Sequence, residues 1–299
     1  MSLDPLSSDG FHEIPIPPPS PSCMRLVMIG DIVGKPGLRI TCAAIPWLRH
    51  VLRTEIIIAN AENSSDGSGI RTKDYRRLTD AGIDAITLGD HLYRKREIID
   101  VLETAPNIIR PANLPDTAPG KSTCVVSSPN GHTVAITCAL GRVFMKPVDC
   151  PFHALSRSLA TIPTETRIRC VDFHAEATSD MQLMGRYLDG QVSAVLGTHT
   201  HVATADEQIL PGGTGFQCDV GMTGPFESIL GRKIDAVMEA TLHAIPTTFQ
   251  VATGNVRLNG TWFDADLESG KCVAIGRLNL SEIMLDHYNS SRASVRQLL

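Results

Sequence analysis

The sequence predicts an α/β domain, and three observations carry that expectation. Five short, mainly apolar runs recur along the chain, at residues 26–29, 55–59, 84–88, 168–173 and 192–196. Segments with helical spacing lie between them, at 34–52, 72–81, 94–102 and 178–187. Each run also stops at a polar residue able to bind a metal. Short apolar runs closed by turn signals read as buried strands, and their alternation with helices reads as strand–helix units around a sheet.

Taken in order, residues 1–23 hold Ile14-Pro15-Ile16-Pro17-Pro18-Pro19-Ser20-Pro21 and are expected to be an extended, disordered tail. The folded domain is expected to span 24–286. The first run ends in Gly30-Asp31. The helix after Gly34 meets Pro46, which predicts a kink or break. The second run closes on Ala61-Glu62-Asn63. Thr72 is a candidate helix cap. The third run closes on Gly89-Asp90-His91. A hairpin is expected from residues 124–126 and 134–138, turning at Pro129-Asn130-Gly131. A helix is expected over 152–160. The fourth run ends at His174. The fifth leads into Gly197-Thr198-His199-Thr200-His201. There Gly197 is expected to turn the chain, and an extended backbone would put His199 and His201 on one face. A helix is expected over 233–243 and strand alternation over 246–280. Residues 287–299 read as a frayed polar tail.

Composition sets the bounds. The 299 residues are 42% hydrophobic and 20% charged, which suits a domain with a sizeable core. A net charge of −5 gives no whole-protein reason for a stable nucleic-acid complex. No apolar run nears the roughly 18 residues of a membrane span. The N-terminus lacks a secretory pattern, and the eight cysteines are scattered without a C-x-x-C pair. A cytoplasmic protein with reduced thiols is expected.

The run ends converge on one chemistry. In open α/β sheets, ligands gather outside the carboxyl ends of strands. A single acid there is ordinary turn chemistry. Five run ends bearing Asp31, Glu62, Asn63, Asp90, His91, His174, His199 and His201 predict a metal site instead. Mixed imidazole, carboxylate and amide donors favour Fe, Mn or Zn. The donors suffice for two divalent ions, a pair suited to phosphoryl chemistry. Ser64 and Ser65 sit beside Glu62 without a nucleophile-elbow pattern, and no phosphate-cradling G-x-x-x-x-G-K-[ST] loop exists. Glu176 is left outside the expected site.

With these residues in view, the chain resembles the YmdB branch of the calcineurin-like metallophosphoesterases. The motifs are Ile29-Gly30-Asp31-Ile32-Val33-Gly34, Ala61-Glu62-Asn63, Leu88-Gly89-Asp90-His91, Asp172-Phe173-His174-Ala175-Glu176-Ala177-Thr178 and Gly197-Thr198-His199-Thr200-His201. Arg110-Pro111-Ala112-Asn113 and Asp219-Val220-Gly221-Met222-Thr223-Gly224-Pro225 also match. The resemblance implies a four-layer α/β/β/α sandwich with two mixed sheets. It implies two ions, Fe or Mn: Asp31, Asn63 and His201 on one, His174, His199 and Asp90 on the other, and Glu62 bridging. It implies His91 as general acid and a metal-bridging hydroxide as nucleophile. The implied substrates are 2′,3′-cyclic nucleotides or related phosphodiesters, opened at the 2′ bond to leave 3′-phosphates. Thr223 and Gly224 would line the phosphate pocket or merely form a turn. A homo-oligomer is a family-level expectation. The family has Gly-Asn-His where this chain has Gly89-Asp90-His91, so Asp90 adds a negative charge. A phosphomonoesterase with the same site, or a metal-binding regulator with weakened catalysis, are the alternatives.

Overall fold

The computed structural model describes residues 16–296. Its first half runs β1 (Cys23–Ile29), β2 (Asp31–Ile32), α1 (Gly34–His50), β3 (Ile56–Asn60), α2 (Thr72–Ala81), β4 (Ala85–Thr87), α3 (Ile99–Thr104) and β5 (Ile108–Ile109). There follow β6 (Thr123–Ser127), β7 (Thr133–Leu140), α4 (Pro151–Ala160), β8 (Ile168–His174), α5 (Thr178–Tyr187) and β9 (Ala194–Thr198). The last part is β10 (Gln208–Ile209), β11 (Gly215–Gln217), β12 (Met222–Pro225), α6 (Ile234–His243), β13 (Val256–Asp266), β14 (Cys272–Ser281) and α7 (Glu282–Arg296).

The strands form two mixed sheets. One follows the order β2-β12-β13-β1-β3-β4-β5, with β14 also on β13; the other follows β10-β11-β9-β8-β7-β6. Side-chain parity stacks them. Met24, Leu26 and Met28 of β1 face the core between the sheets, together with Ile136, Cys170 and Leu196 of the second sheet. Val27 and Ile29 face the other way, onto α1 and α2. In the second sheet Val171, Phe173 and Val195 turn outward onto α4 and α5. Strands covered on both faces are continuously apolar, which explains the runs read from sequence. The layers are α/β/β/α. β1, β3 and β4 are mutually parallel, as are β8 and β9, so several strand ends reach one rim.

Some expectations are corrected. Cys23 belongs to β1, and Ile16 packs against the core, so the segment expected as a tail is ordered from residue 16. Residues 1–15 and 297–299 lie outside the described residues. Instead of fraying from His287, the chain continues in α7, where Leu285 is buried and Tyr288 packs on the core. Asn289 also donates to the Ala43 carbonyl. Helix α1 runs on through Pro46. Arg71, not Thr72, is the N-cap of α2; the Thr72 N–H donates to Glu97 Oε1. The segment expected as one helix over 94–102 is a 3₁₀ turn at Arg96–Ile98 followed by α3.

Candidate metal centre

Asp31 follows β1 at the strand's carboxyl end and is fully buried. Gly30 must be glycine here, because a Cβ would meet the Gly221 carbonyl oxygen at 1.8 Å. Asp31 Oδ2 accepts the His199 N–H at 3.0 Å. That bond anchors a strained residue: His199 has φ 107° and His201 φ 65°. The two histidines therefore reach the site from left-handed backbone beyond β9, not by strand alternation as expected. Gly197 likewise does not turn the chain. It lies inside β9, where a Cβ would meet the Cys218 carbonyl at 1.7 Å.

The donors fall into two groups. Glu62 Oε1, Asp90 Oδ1, His174 Nε2 and His199 Nδ1 come from residues whose ligand atoms lie within 4.8 Å of one another. His174 Nε2 is 2.9 Å from His199 Nδ1, 3.2 Å from Glu62 Oε1 and 3.5 Å from Asp90 Oδ1. On the other side, His201 Nε2 lies 3.8 Å from Asp31 Oδ1 and 3.2 Å from the Asn63 amide nitrogen. That amide nitrogen also donates to Glu62 Oε1 at 3.2 Å. Glu62 Oε1 thus stands between the groups, while Oε2 accepts the His91 N–H at 2.8 Å.

Three features fit this donor set to metal ions. Asp90 Oδ1 is buried and makes no hydrogen bond of good geometry among the described residues, yet it stands 3.5 Å and 3.7 Å from two imidazole nitrogens, a ring of donors that a metal ion would join. His174 Nε2 and His199 Nδ1 point at each other, yet imidazole nitrogens aimed at one point are what a metal binds. A Cβ on Gly89 would lie 2.3 Å from His174 Nε2 and 2.5 Å from Glu62 Oε2, so only glycine leaves the cradle open.

A buried network aims the candidate donors. The Thr198 hydroxyl donates to Asp172 Oδ1 at 2.7 Å and so accepts from His174 Nδ1 at 2.8 Å. Thr87 and Asn60 donate to Asp172 Oδ2. His174 is thereby held with Nδ1 protonated and Nε2 turned toward the cluster. His201 is set the same way, its Nδ1–H donating to the Leu230 carbonyl at 3.2 Å. Asp219 supports the His199–His201 loop, accepting the Thr200 N–H and hydroxyl, both at 2.9 Å. Sequence reading missed Asn60, Thr87, Thr198 and Asp219 as supports; Thr198 and Asp219 lie in quoted motifs and Asn60 and Thr87 directly before two others, but only the fold shows their partners. Glu176, left out above, approaches His199 Nε2 at 3.2 Å.

Charge follows from burial. Burial opposes ionisation of Glu62 and Asp90, but the nearby histidines outweigh it and hold both carboxyls below the usual range. Burial opposes a charge on His174, yet Glu62 and Asp90 push its pKa well up. Burial, with the positive charge of His174, lowers that of His199. Burial raises Asp172 to about 6 and, with the Asp31 charge, Asp219 to about 8.

His91 stands on the rim, with its Nδ1–H donating to Asn63 Oδ1 at 2.9 Å. Thr223 and Gly224 do not offer side chains to the site. Thr223 is fully buried and its hydroxyl donates to the Asn259 carbonyl at 3.0 Å, while Gly224 lies in β12 against Val33.

The chain as a whole has relatives of known family and fold. The family model described as YmdB-like protein matches residues 27–278. The chain belongs to the YmdB-like family. It is 41% identical to the Bacillus subtilis 2′,3′-cyclic-nucleotide 2′-phosphodiesterase, an alignment covering 87% of this chain and 98% of that protein. The crystal structure of a hypothetical protein from Thermus thermophilus superposes with a TM-score of 0.81 at 39% identity, covering 87% of this chain and all of that one. A novel phosphatase from Mycoplasma pneumoniae also gives 0.81, at 29% identity, covering 87% of this chain and 94% of that one.

Proposed function

We propose that this YmdB-like chain is a dinuclear metal-dependent phosphodiesterase that opens 2′,3′-cyclic nucleotides at the 2′ bond. The observation that carries the reading is Glu62 Oε1, placed between two donor groups, with Asp90 Oδ1 buried against the same imidazole nitrogens. The similarity to the Bacillus subtilis enzyme supports the substrate class. Asp31, Asn63 and His201 would hold one ion, and His174, His199 and Asp90 the other, with Glu62 shared. The ions, Fe or Mn, would neutralise charge on the phosphoryl oxygens and acidify the attacking water. Donors limited to nitrogen and oxygen support that choice of metals.

The amide of Asn63 bears on the acid. A half-turn of the amide would present Oδ1 to Asp31, Glu62 and His201 and turn its N–H₂ toward His91 Nδ1. His91 would then carry its proton on Nε2. Water gives up a proton to solvent as it adds to phosphorus, the bond to the 2′ oxygen breaks, and that oxygen takes the Nε2 proton of His91, whose ring recovers one from solvent, so that one water is consumed and His91 is regenerated. Asp31 fixes the His199 backbone throughout. The free state of all eight cysteines supports a reducing, cytoplasmic setting. Among the described residues no helix is long and apolar enough to cross a membrane.

The test compares a 2′,3′-cyclic nucleotide with a nitrophenyl phosphodiester and a phosphomonoester, with Mn²⁺ or Fe²⁺ and with chelator. Both diesters should turn over faster than the monoester and stop on chelation. His91→Ala should slow the cyclic nucleotide by about 10²–10⁴-fold and the nitrophenyl ester far less, since nitrophenolate needs little protonation. Equal losses would remove His91 as the acid; a faster monoester would replace the diesterase reading with a phosphomonoesterase.

A further inference from the structure

Beside the metal centre, a cavity of about 390 Å³ opens between the first turns of α1 and α2. Its walls include Lys35, Arg39, Ser64, Arg71, Lys73 and Arg77. Two carboxylates also line it, and both are engaged. Asp74 takes the Ser65 hydroxyl, and Asp66 pairs with Arg71 at 2.7 Å and Lys95 at 3.1 Å. Arg39 pairs with Glu282 at 2.7 Å. Lys35, Lys73 and Arg77 have no carboxylate partner among the described residues.

The second observation is Ser64. It is 1% exposed, it lines the cavity, and its Oγ has no hydrogen-bond partner. A buried hydroxyl without a partner is costly and uncommon. Lysines and arginines around such a donor, beside the N-terminus of α1, whose N-cap Val33 offers no side-chain cap, suit an anion. The geometry points to a phosphate-binding site that is separate from the metal centre and takes a second phosphoryl group. The Ser64 hydroxyl would donate to one phosphate oxygen, and Lys35, Lys73 and Arg77 would balance its charge.

The two sites share their supports. Ser64 directly follows Asn63, and Lys35 follows Gly34, whose N–H donates to the Asn63 carbonyl at 3.0 Å. Along α2, Arg71, Lys73, Arg76 and Arg77 also line a wider depression of about 800 Å³ with the carboxylates of Asp80 and Glu97, which leaves room for the rest of a phosphorylated ligand. The phosphate belongs either to the same nucleotide chain as the reacting group or to a free phosphate ion. The site itself does not depend on the phosphodiesterase reading.

Isothermal titration of inorganic phosphate into the full chain decides it, with Mn²⁺ loaded and again after chelation. One binding event should survive chelation. Lys73→Gln should weaken that event by about tenfold, the scale of one charged hydrogen bond, and Ser64→Ala should weaken it too. Lys73 is exposed, so its replacement does not threaten the fold. No phosphate binding after chelation, or binding that neither substitution changes, overturns the proposal. Kinetics then name the source. If Lys73→Gln raises KM for a dinucleotide ending in a cyclic phosphate but not for the mononucleotide, the phosphate belongs to the substrate. If inorganic phosphate instead alters mononucleotide turnover in the parent chain and not in Lys73→Gln, it is a free ion. Should no cyclic nucleotide be hydrolysed at all, the titration still decides the site.

Discussion

Strand β1 carries buried charge at both ends, and the two ends are built in opposite ways. Near its start, Arg25 is 1% exposed and grips Asp264 with two bonds of 2.7 Å. A third bond goes to the Leu52 carbonyl, and the guanidinium lies 4.4 Å over the Trp262 ring. Every charge there is answered within the chain. Past its other end, Asp31, Glu62 and Asp90 converge with two imidazole nitrogens that face each other, and Asp90 Oδ1 is left with no hydrogen bond. Buried charge that closes on itself is structural. Buried charge left open is arranged for something that arrives.

Two substitutions break the comparison most sharply. His174→Ala should cut diesterase turnover by roughly 10³-fold or more, since it removes a donor from the open end. Its diagnostic loss is turnover in the metal-loaded chain, over and above the stability that the chelated chain loses with the charge of the buried imidazole. Asp264→Asn should do the reverse. Breaking a buried pair costs about 3–5 kcal/mol, so its melting temperature should fall steeply while metal-loaded turnover near room temperature is kept. Melting curves and turnover on both variants check the division. Loss of stability in the first with unchanged turnover would reverse the assignment.

Thr198→Val sharpens it. The substitution keeps shape but removes the hydroxyl that holds His174 Nδ1. Metal affinity should drop about 10–100-fold, measured by competition with a chelator. Unchanged affinity would make the Asp172 network a packing feature only.

Much of this candidate site was legible in the sequence, because strand ends are local signals and the clustered donors lie at or within three residues of them. Asp31, Glu62, Asp90 and His174 could be read from apolar runs that stop. What could not be read depends on distant chain segments. Gly197 is needed because the Cys218 carbonyl packs against it, and nothing near Gly197 in sequence shows that. The strand ends at Thr198 and the histidines take left-handed backbone because Asp31 and Asp219 hold the loop from other elements. Thr223 reads like a loop residue, yet it pairs with Ile32 inside a strand. The end of the chain looks polar, but Leu285 and Tyr288, three residues apart, share the face of α7 that meets the core.

Asp90→Asn is a smaller and more specific change. It restores the residue that the resemblance leads one to expect and removes one negative charge from the open end. The centre becomes more positive, so the attacking water should ionise at lower pH. The basic limb of the pH–rate profile should shift down, activity at neutral pH should rise, and metal should be lost more readily to chelator. No change in either would mean that Asp90 does not face the ions.

The smallest effect is on stability against pH. Burial and the Asp31 charge raise Asp219 to about 8, and burial raises Asp172 to about 6. Unfolded aspartates titrate near ~3.9. Between those values the folded chain holds protons that the unfolded chain has lost, so stability falls as pH rises through the window. The raised His174 adds to this, because its stabilising charge is lost as pH rises through its folded pKa. The melting temperature of the chelated chain should decline from about pH 5 to about pH 9, and Asp219→Asn should flatten the slope. A rising curve over that range would contradict this reading.

The most direct test of an open, metal-ready centre is elemental analysis of the purified full chain, joined to product analysis with a 2′,3′-cyclic nucleotide. The account predicts about two transition-metal ions per chain and a 3′-phosphate product, both lost together on chelation. A chain that holds no metal and hydrolyses no phosphodiester when Mn²⁺ or Fe²⁺ is added would contradict it.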